Sequence, residues 1–293
     1  MPIQLKEEDK RKIPHTFLVK LQTVYDSLKS AEKKAADFVL SQSDFLVEAT
    51  ITEAAEKAQC SEATFVRLAK RLGYSGYPEM KAVFNEKQHK DITIPYNNIG
   101  IEDEPSEVMF KVFQSSIQAL HDTFQIIDKD EYCKALDAIR NANKILFCGI
   151  GDAFAVIKSG YQKFLRMGLD VQASADIDVQ LICIANMKPG DVVIAVSHSG
   201  RTKNLLDVVK YARSKGVTVV TITNYAISPL VKNADIILLT SAFTEHISGE
   251  IMSKRVAQLC VLESLYVNLL LAKGSALKDQ LSKSNEALEV NKL

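Results

Sequence analysis

Six consecutive residues, Ser197-His198-Ser199-Gly200-Arg201-Thr202, carry the side chains in this sequence that are best suited to bind an anion. This segment, here called the hydroxyl loop, follows an apolar run that predicts a buried strand, Val192–Val196, and precedes a predicted helix beginning near Lys203. Three hydroxyls can donate to phosphate oxygens, Gly200 allows close approach of the backbone, and a helix N-terminus favours negative charge. The alternative is that Ser and Thr only cap the helix. Three hydroxyls exceed what capping needs, so the loop predicts a phosphate site.

A second turn of the same kind follows the apolar run Lys144–Cys148 and contains Gly149 and Gly151. A single G-x-G is weak evidence, because it also serves any tight strand-to-helix turn. In an open α/β sheet, however, the carboxyl ends of neighbouring strands form the crevice that binds ligands. We therefore expect the two turns to form one ligand site.

Such a site could also hold a catalytic base, since aldose–ketose isomerisation moves a proton between adjacent carbons. The candidates by position are His198, His246 and Glu250, and Glu250 is also expected to contact the ligand. The alternative for each is a surface or capping residue, which we prefer. We predict no catalytic residue, no cofactor and no metal site.

A different pattern lies in Thr50–Gly73. Thr50 and Glu53 form a T-x-x-E capping box, which predicts a short helix to about Ala58. Ser61 is a suitable N-cap for a second helix, in which Phe65, Leu68, Ala69 and Leu72 form one apolar face. Two short helices joined by the Gln59–Cys60 turn are typical of a helix-turn-helix.

The outward face of the second helix predicts contacts with DNA in the major groove and with its phosphates. The predicted DNA-binding residues are Thr50, Ser61, Glu62, Ala63, Thr64, Arg67 and Arg71. The pattern alone also fits an ordinary helical hairpin with a solvated basic face, because no basic run accompanies it.

These elements predict a two-domain α/β chain. Residues 1–88 form an all-α helix-turn-helix domain, and residues 89–105 form a polar linker that is the natural hinge. Residues 106–278 form a doubly wound α/β domain with a mostly parallel five-stranded sheet, because continuous apolar strands alternate with amphipathic helices. The final helix is expected at about Ser253–Leu271, and residues 279–293 form a polar tail.

The composition restricts the class of protein without deciding it. Lys+Arg and Asp+Glu both number 36, so no global basic charge marks a nucleic-acid binder, and any such signal must be local. The five cysteines form no CxxC pair and predict free thiols in a reducing compartment. We see no leader segment or transmembrane run, and expect a cytoplasmic protein that does not bind membranes.

The segment Ser61–Lys81, SEATFVRLAKRLGYSGYPEMK, resembles the signature of the RpiR-type helix-turn-helix regulators, and LKSAEKKAADFVL resembles their first helix. The likeness covers about 70 residues. One departure is Gln59, where the family usually has Gly, and this bears on the geometry of the turn.

Residues 140–271 resemble the SIS (sugar isomerase) domain through the two turns, through Thr223-Asn224 and through the segment Lys254–Leu259. Two departures bear on the choice of ligand. Ala153 stands where the family often has Ser, so one phosphate hydroxyl is missing. Asp178 stands where RpiR-type proteins commonly have His.

The two resemblances imply a regulator of carbohydrate or amino-sugar catabolism, with a repressor preferred, that binds an operator in double-stranded DNA and responds to a phosphorylated sugar. One recognition helix makes too few contacts for tight binding, so a homodimer or homotetramer joined through the SIS helices is expected. The alternatives are a sugar-phosphate isomerase or lyase whose N-terminal helices mediate oligomerisation, and an inactive SIS scaffold that regulates a protein partner.

Overall fold

The structure, a computed structural model, describes residues 13–85, 99–242 and 253–291. Within them the chain divides into two compact units, one of residues 13–118 and the other of residues 119–242 and 253–291. The division falls inside a helix, at Gln118. Most of the expected linker lies outside the described residues, as do His246 and Glu250.

The N-terminal unit is helical. Its helices are α1 (His15–Val24), α2 (Ser30–Ser41), α3 (Ser43–Glu48), α4 (Ile51–Lys57), α5 (Glu62–Arg71), α6 (Tyr77–Asn85) and the first part of α7 (Pro105–Ile126). Its core contains a chain of edge-to-face aromatic pairs, in which Phe38 contacts Phe45 and Phe65, and Phe65 contacts Tyr77. Because Phe65 is on α5 and is fully buried, this core fixes the face that α5 turns outward.

The C-terminal unit contains a five-stranded parallel sheet of order β2-β1-β3-β4-β5. The strands are β1 (Ile145–Cys148), β2 (Val171–Ser174), β3 (Val192–Val196), β4 (Thr218–Thr223) and β5 (Ile236–Leu239). The helices are the end of α7, α8 (Lys129–Arg140), α9 (Asp152–Arg166), α10 (Ile177–Ala185), α11 (Lys203–Ser214) and α12 (Ser253–Glu289). The expected doubly wound fold is confirmed, and its described sheet is parallel throughout.

Alternate residues of the central strands form separate cores on the two faces of the sheet. Ile145 and Phe147 pack with α8, α9 and α12, whereas Leu146 and Cys148 pack with α10 and α11. The strands are apolar on both faces because helices cover both. The order of strands places the end of β1 beside the end of β3, and this adjacency brings the two predicted turns together.

Helix α12 differs from the expectation in its length, since it continues from Ser253 to Glu289 instead of ending near Leu271. Contacts distant in sequence hold its polar end: Arg166 NH2 donates to Asn285 Oδ1 at 2.7 Å, and Ser284 Oγ donates to the Arg166 carbonyl at 3.0 Å. Much of the expected polar tail is therefore helical.

The segment Ser253–Ala272 is long and apolar enough to cross a membrane by length and composition alone. Its buried side chains Leu262, Leu265 and Leu269 belong to the core on one face of the sheet. The segment therefore serves as a core helix of this domain.

Candidate functional site

Helices α4 and α5 form the predicted helix-turn-helix. Thr50 caps α4: the Glu53 backbone N–H donates to Thr50 Oγ1 at 3.3 Å, and Glu53 Oε2 accepts from the Thr50 N–H at 2.8 Å. These bonds lower the pKa of Glu53. Ala54 and Ala55 are buried, and their small side chains allow close crossing of a second helix. The capping box is confirmed.

The turn between α4 and α5 places Gln59 at a φ of 54°, which makes it the one residue other than glycine with positive φ in the described chain. A glycine adopts this conformation without steric cost, whereas Gln59 must bring a Cβ close to a carbonyl oxygen. The turn thus has a left-handed geometry suited to glycine, so the departure from the family pattern adds a steric cost at Gln59.

The exposed residues at the start of α5 are Ser61, Glu62, Ala63 and, one turn further on, Arg67. Glu62 is linked to the preceding helix, because Thr52 Oγ1 on α4 donates to Glu62 Oε1 at 2.6 Å. Lys70 is also exposed on α5, and sequence reasoning passed over it although it lies three residues from Arg67. The exposed surface of α5 thus has small and acidic groups at its start and basic groups further along the helix.

Two residues predicted to face outward do not. Thr64 is only 2% exposed, and its hydroxyl lies between Ser61 Oγ at 2.9 Å and Arg67 NH2 at 3.1 Å. Thr64 is one turn before Leu68, so it belongs to the core side of α5. The assignment of Thr64 to the outward face was therefore wrong.

Arg71 is half-buried instead of freely exposed. Its Nε lies 3.3 Å from Glu32 Oε1 on α2, and its NH1 donates to the Ser27 carbonyl at 3.2 Å. Arg71 thus joins α5 to the rest of the unit, which corrects its placement on the outward face.

In the C-terminal unit, a cavity of about 230 Å³ lies at the carboxyl ends of β1 and β3. Residues of both predicted turns and of α12 line it: Ile150, Asp152, Ala153, Val196, Ser197, His198, Ser199, Thr202, Lys254 and Gln258. The structure thus brings together the hydroxyls of the loop and the turn after β1, as the order of strands requires.

Hydrogen bonds within the hydroxyl loop fix its shape. Ser197 Oγ accepts from the Gly200 N–H at 3.2 Å, and Ser199 Oγ accepts from the Arg201 N–H at 3.2 Å. Thr202 is the N-cap of α11, but its side chain makes no capping bond. Its hydroxyl lies 3.3 Å from Ser197 Oγ instead. Capping of α11 therefore does not explain the presence of a hydroxyl at Thr202. Arg201 is exposed.

The predicted glycines shape the turns and do not line the cavity themselves. Gly151 has a φ of 59° and Gly200 a φ of 61°. A Cβ on Gly200 would lie 2.3 Å from Ser228 Oγ, so the neighbouring chain also demands glycine here. Gly149 packs closely against Ile157 and Ala153. Asp178 is exposed on α10 and is not among the residues that line the cavity.

Some buried polar atoms at the cavity lack a well-aligned hydrogen-bond partner. Among the described residues, Nε2 of Gln258, a side chain that is 2% exposed, has no hydrogen-bond partner, and the ring nitrogens of His198 make no well-aligned hydrogen bond, although the Asn224 side chain lies nearby. Burial lowers the pKa of His198 to about 4 and the charge of Lys254 acts in the same direction, while Asn224 and Asp152 oppose them. The ring is therefore neutral near pH 7. Unpartnered buried groups are costly unless a ligand or water satisfies them.

Three polar lining residues, Asp152, Lys254 and Gln258, were not predicted as site residues. Lys254 and Gln258 come from a helix more than 50 residues after the hydroxyl loop, and Asp152 lies inside the second turn. Asp152 Oδ2 lies 2.8 Å from Lys254 Nζ, and Asp152 Oδ1 lies 2.9 Å from Arg255 NH1. No group of three or more His, Cys, Asp or Glu side chains suited to a metal is found in the described ranges.

A helix-turn-helix unit and a doubly wound unit with a polar cavity at its strand ends define a two-domain protein that combines a DNA-binding fold with a ligand-binding fold. The helix-turn-helix domain of the rpiR family matches residues 15–90, and the SIS domain matches residues 138–268. The chain belongs to the rpiR family of helix-turn-helix transcriptional regulators with an SIS domain.

Relatives of the same construction extend over nearly the whole chain. An uncharacterized HTH-type transcriptional regulator of Thermotoga maritima is 31% identical and covers 92% of this chain and 96% of its own length. The HTH-type transcriptional regulator HexR of Escherichia coli is 29% identical, covering 93% and 94% respectively. The solved structure of the Vibrio vulnificus NanR protein complexed with ManNAc-6P matches with a TM-score of 0.58 and 25% identity, covering 93% of this chain and 97% of that one.

Proposed function

We propose that this protein is a cytoplasmic repressor of genes for carbohydrate or amino-sugar catabolism, and that a phosphorylated sugar bound in the SIS cavity controls its affinity for operator DNA. The observation that carries the proposal is the polar cavity at the ends of β1 and β3, whose buried nitrogens lack well-aligned partners, in a chain whose other unit is a helix-turn-helix. The NanR complex with ManNAc-6P supports a phosphosugar as the class of ligand.

The phosphate would lie at the N-terminus of α11. Ser199 and Thr202 offer hydroxyl donors there, Lys254 offers a positive charge, and the helix dipole favours an anion. The sugar would extend toward His198 and Gln258, because their side-chain nitrogens can pair with sugar hydroxyls or with an N-acetyl carbonyl. Ala153 supplies no hydroxyl, so the phosphate depends on the loop after β3 and on Lys254.

The operator would be read by the exposed start of α5. Ser61, Glu62 and Ala63 are short or acidic groups suited to base edges, whereas Arg67 and Lys70 suit phosphates. Thr50, exposed at the start of α4, is suited to a backbone contact. We expect two or four copies of the chain to bind repeated half-sites, because a single recognition helix gives few contacts.

The control exerted by the sugar phosphate is a coupling free energy between two sites, so it requires that the ligand bind one state of the protein more tightly than another. Arg67→Ala and Ser199→Ala separate the two sites. Arg67→Ala should weaken operator binding about tenfold, with unchanged binding of the sugar phosphate. Ser199→Ala should remove the response to the sugar phosphate, with unchanged DNA binding in its absence.

The experiment measures both affinities of both variants, with Arg140→Ala as the matched control because Arg140 is an exposed arginine on α8. If each variant loses one affinity only, the assignment of two separate sites stands. If Arg67→Ala lowers both affinities together, the two-site assignment is wrong.

A second candidate function is isomerisation of a sugar phosphate, and the specific observation in its favour is His198. A neutral imidazole that lines the cavity is in the protonation state that a general base requires. Its pKa of about 4 makes it a weak base, which favours a binding role. Turnover of a hexose or hexosamine phosphate by the wild type, and its loss in His198→Gln, would establish the enzyme instead of the sensor.

A further inference from the structure

The cavity contains an acidic side chain where an anion is expected to bind. Asp152 is the first residue of α9, directly after the Gly151 turn, and it lines the cavity opposite the hydroxyl loop. Its carboxylate is shared between Lys254 and Arg255 at the start of α12, at 2.8 Å and 2.9 Å. Lys254 lines the same cavity, and its charge also acts on His198 of the loop. One cation therefore faces both the carboxylate and the phosphate site.

The charges of these side chains set up a competition between the Asp152 carboxylate and a bound phosphate for Lys254. Asp152, Lys254 and Arg255 together carry a net charge of +1, and a phosphate monoester carries roughly −1.5 to −2 near neutral pH. Carboxylate and phosphate are both oxygen anions that bind an ammonium group in the same way. An approaching phosphate must therefore share Lys254 with Asp152 or displace the Asp152 carboxylate from Lys254.

Independent observations identify the cavity as a ligand site apart from the helix terminus. Nε2 of Gln258, on a side chain that is 2% exposed, has no hydrogen-bond partner, and the ring nitrogens of His198 make no well-aligned hydrogen bond. Both residues line the cavity together with Asp152 and Lys254. The donors are thus placed for a ligand, while the one carboxylate among the lining residues is occupied by Lys254 and Arg255.

We propose that Asp152 is the internal counterion of the ligand site: it competes with the incoming anion for Lys254 and thereby weakens the binding of anions, most strongly that of dianionic phosphate monoesters. This inference rests on the proposed binding of a phosphorylated sugar. A monocarboxylate that replaces Asp152 exchanges one carboxylate for another and gains little electrostatic energy. A phosphate carries more charge, so both its attraction to Lys254 and its repulsion by Asp152 are larger.

The test is isothermal titration calorimetry of the full chain, which measures its affinity for glucose 6-phosphate, inorganic phosphate and gluconate. The wild type, Asp152→Asn and Asp152→Ala are compared. The asparagine preserves the size of the side chain and removes the charge. Asp207→Asn is the matched control, since it removes an exposed carboxylate on α11. Asp152→Asn should bind both phosphates roughly tenfold more tightly and should gain less affinity for gluconate, because the repulsion that is removed scales with the charge of the ligand. Both gains should shrink as salt is raised.

Tighter binding of all three anions by Asp152→Asn, with Asp207→Asn unchanged, supports the counterion role. Unchanged or weaker phosphate binding by Asp152→Asn, when the wild type binds, overturns this role and leaves the phosphate site intact. A loss of affinity for glucose 6-phosphate with unchanged affinity for inorganic phosphate would assign Asp152 to the sugar hydroxyls of the ligand, and overturns the counterion role too. Failure of every variant to bind either phosphate overturns both the role of Asp152 and the proposed function.

Discussion

Arg71 at the end of α5 lies 3.3 Å from Glu32 on α2, measured from Nε to Oε1, and the Glu32 side chain is only 3% exposed. Glu32 also accepts from the Lys29 backbone N–H at 2.9 Å, and Arg71 donates to the Ser27 carbonyl. A buried carboxylate that loses its cation is strongly destabilising. The recognition helix is therefore attached to α2 through a charge pair.

We predict that Arg71→Ala lowers the free energy of unfolding of the N-terminal unit by about 2 kcal/mol, which is below the value for a fully buried pair because Arg71 is 28% exposed. Urea unfolding followed by circular dichroism measures it. Arg67→Ala is the control and should change stability by about 0.5 kcal/mol or less, since Arg67 is exposed. Equal stability of Arg71→Ala and the wild type would contradict the structural role of Arg71.

The strained turn gives a prediction of the opposite sign. Gln59→Gly removes the steric cost of a φ of 54°, about 1 kcal/mol, and loses part of this gain to the greater freedom of glycine in the unfolded chain. We expect a net stabilisation of about 0.5 kcal/mol. Gln59→Val should destabilise by at least about 1 kcal/mol, because a β-branched side chain tolerates positive φ poorly. Thermal unfolding of the three proteins gives the order, and a more stable valine variant would refute it.

Gly200→Ala should be severe, because it combines a positive φ with a contact of 2.3 Å between the new Cβ and Ser228 Oγ. We expect a loss of about 2–4 kcal/mol in the stability of the C-terminal unit. Gly76→Ala serves as the comparison, since its Cβ would have an ordinary contact of 3.7 Å with Pro78. A Gly200→Ala protein as stable as Gly76→Ala would show that the hydroxyl loop is less constrained than the contacts require.

The buried ring nitrogens of His198 link stability to pH. Its pKa is about 4 in the folded chain and near 6.5 when unfolded, so the unfolded chain binds more protons between these values. Stability is therefore lost as the pH falls from about 6.5 to about 4. His198→Gln should reduce the difference in unfolding free energy between pH 7 and pH 5 by about 1–2 kcal/mol. If denaturant titrations at the two pH values give the same difference for both proteins, the burial of a neutral His198 is wrong.

Elements with continuous apolar sequences could be predicted closely. The predicted strand Val192–Val196 has the bounds found in the structure, and the apolar run Lys144–Cys148 contains the strand Ile145–Cys148, because strands covered by helices on both faces are uniformly apolar. Helix α8, Lys129–Arg140, was missed, since most of its surface is polar and only a few side chains such as Ala135 and Ile139 enter the core. The extension of α12 depends on contacts with Arg166 that no local pattern reveals.

The residues of the candidate site also fall into those that the sequence could predict and those that it could not. The hydroxyl loop could be found because its chemistry is contiguous in sequence and its position follows from the order of strands. Asp152, Lys254 and Gln258 come from separate segments, and only the packing of α9 and α12 brings them to one cavity. Thr64 was misplaced because a polar side chain was assumed to face outward, whereas its hydroxyl pairs with Ser61 and Arg67 and allows it to be buried.

The measurement that most directly tests the central claim is fluorescence anisotropy of the full chain on DNA from the region upstream of its own gene. The salt concentration is held fixed, because affinity for DNA depends steeply on it. Hexose and amino-sugar phosphates are added one at a time. We predict saturable, sequence-dependent binding that shifts with one sugar phosphate and keeps its affinity, but not its response, in Ser199→Ala. Absence of DNA binding with every ligand, together with isomerisation of one of these sugars, would contradict the account.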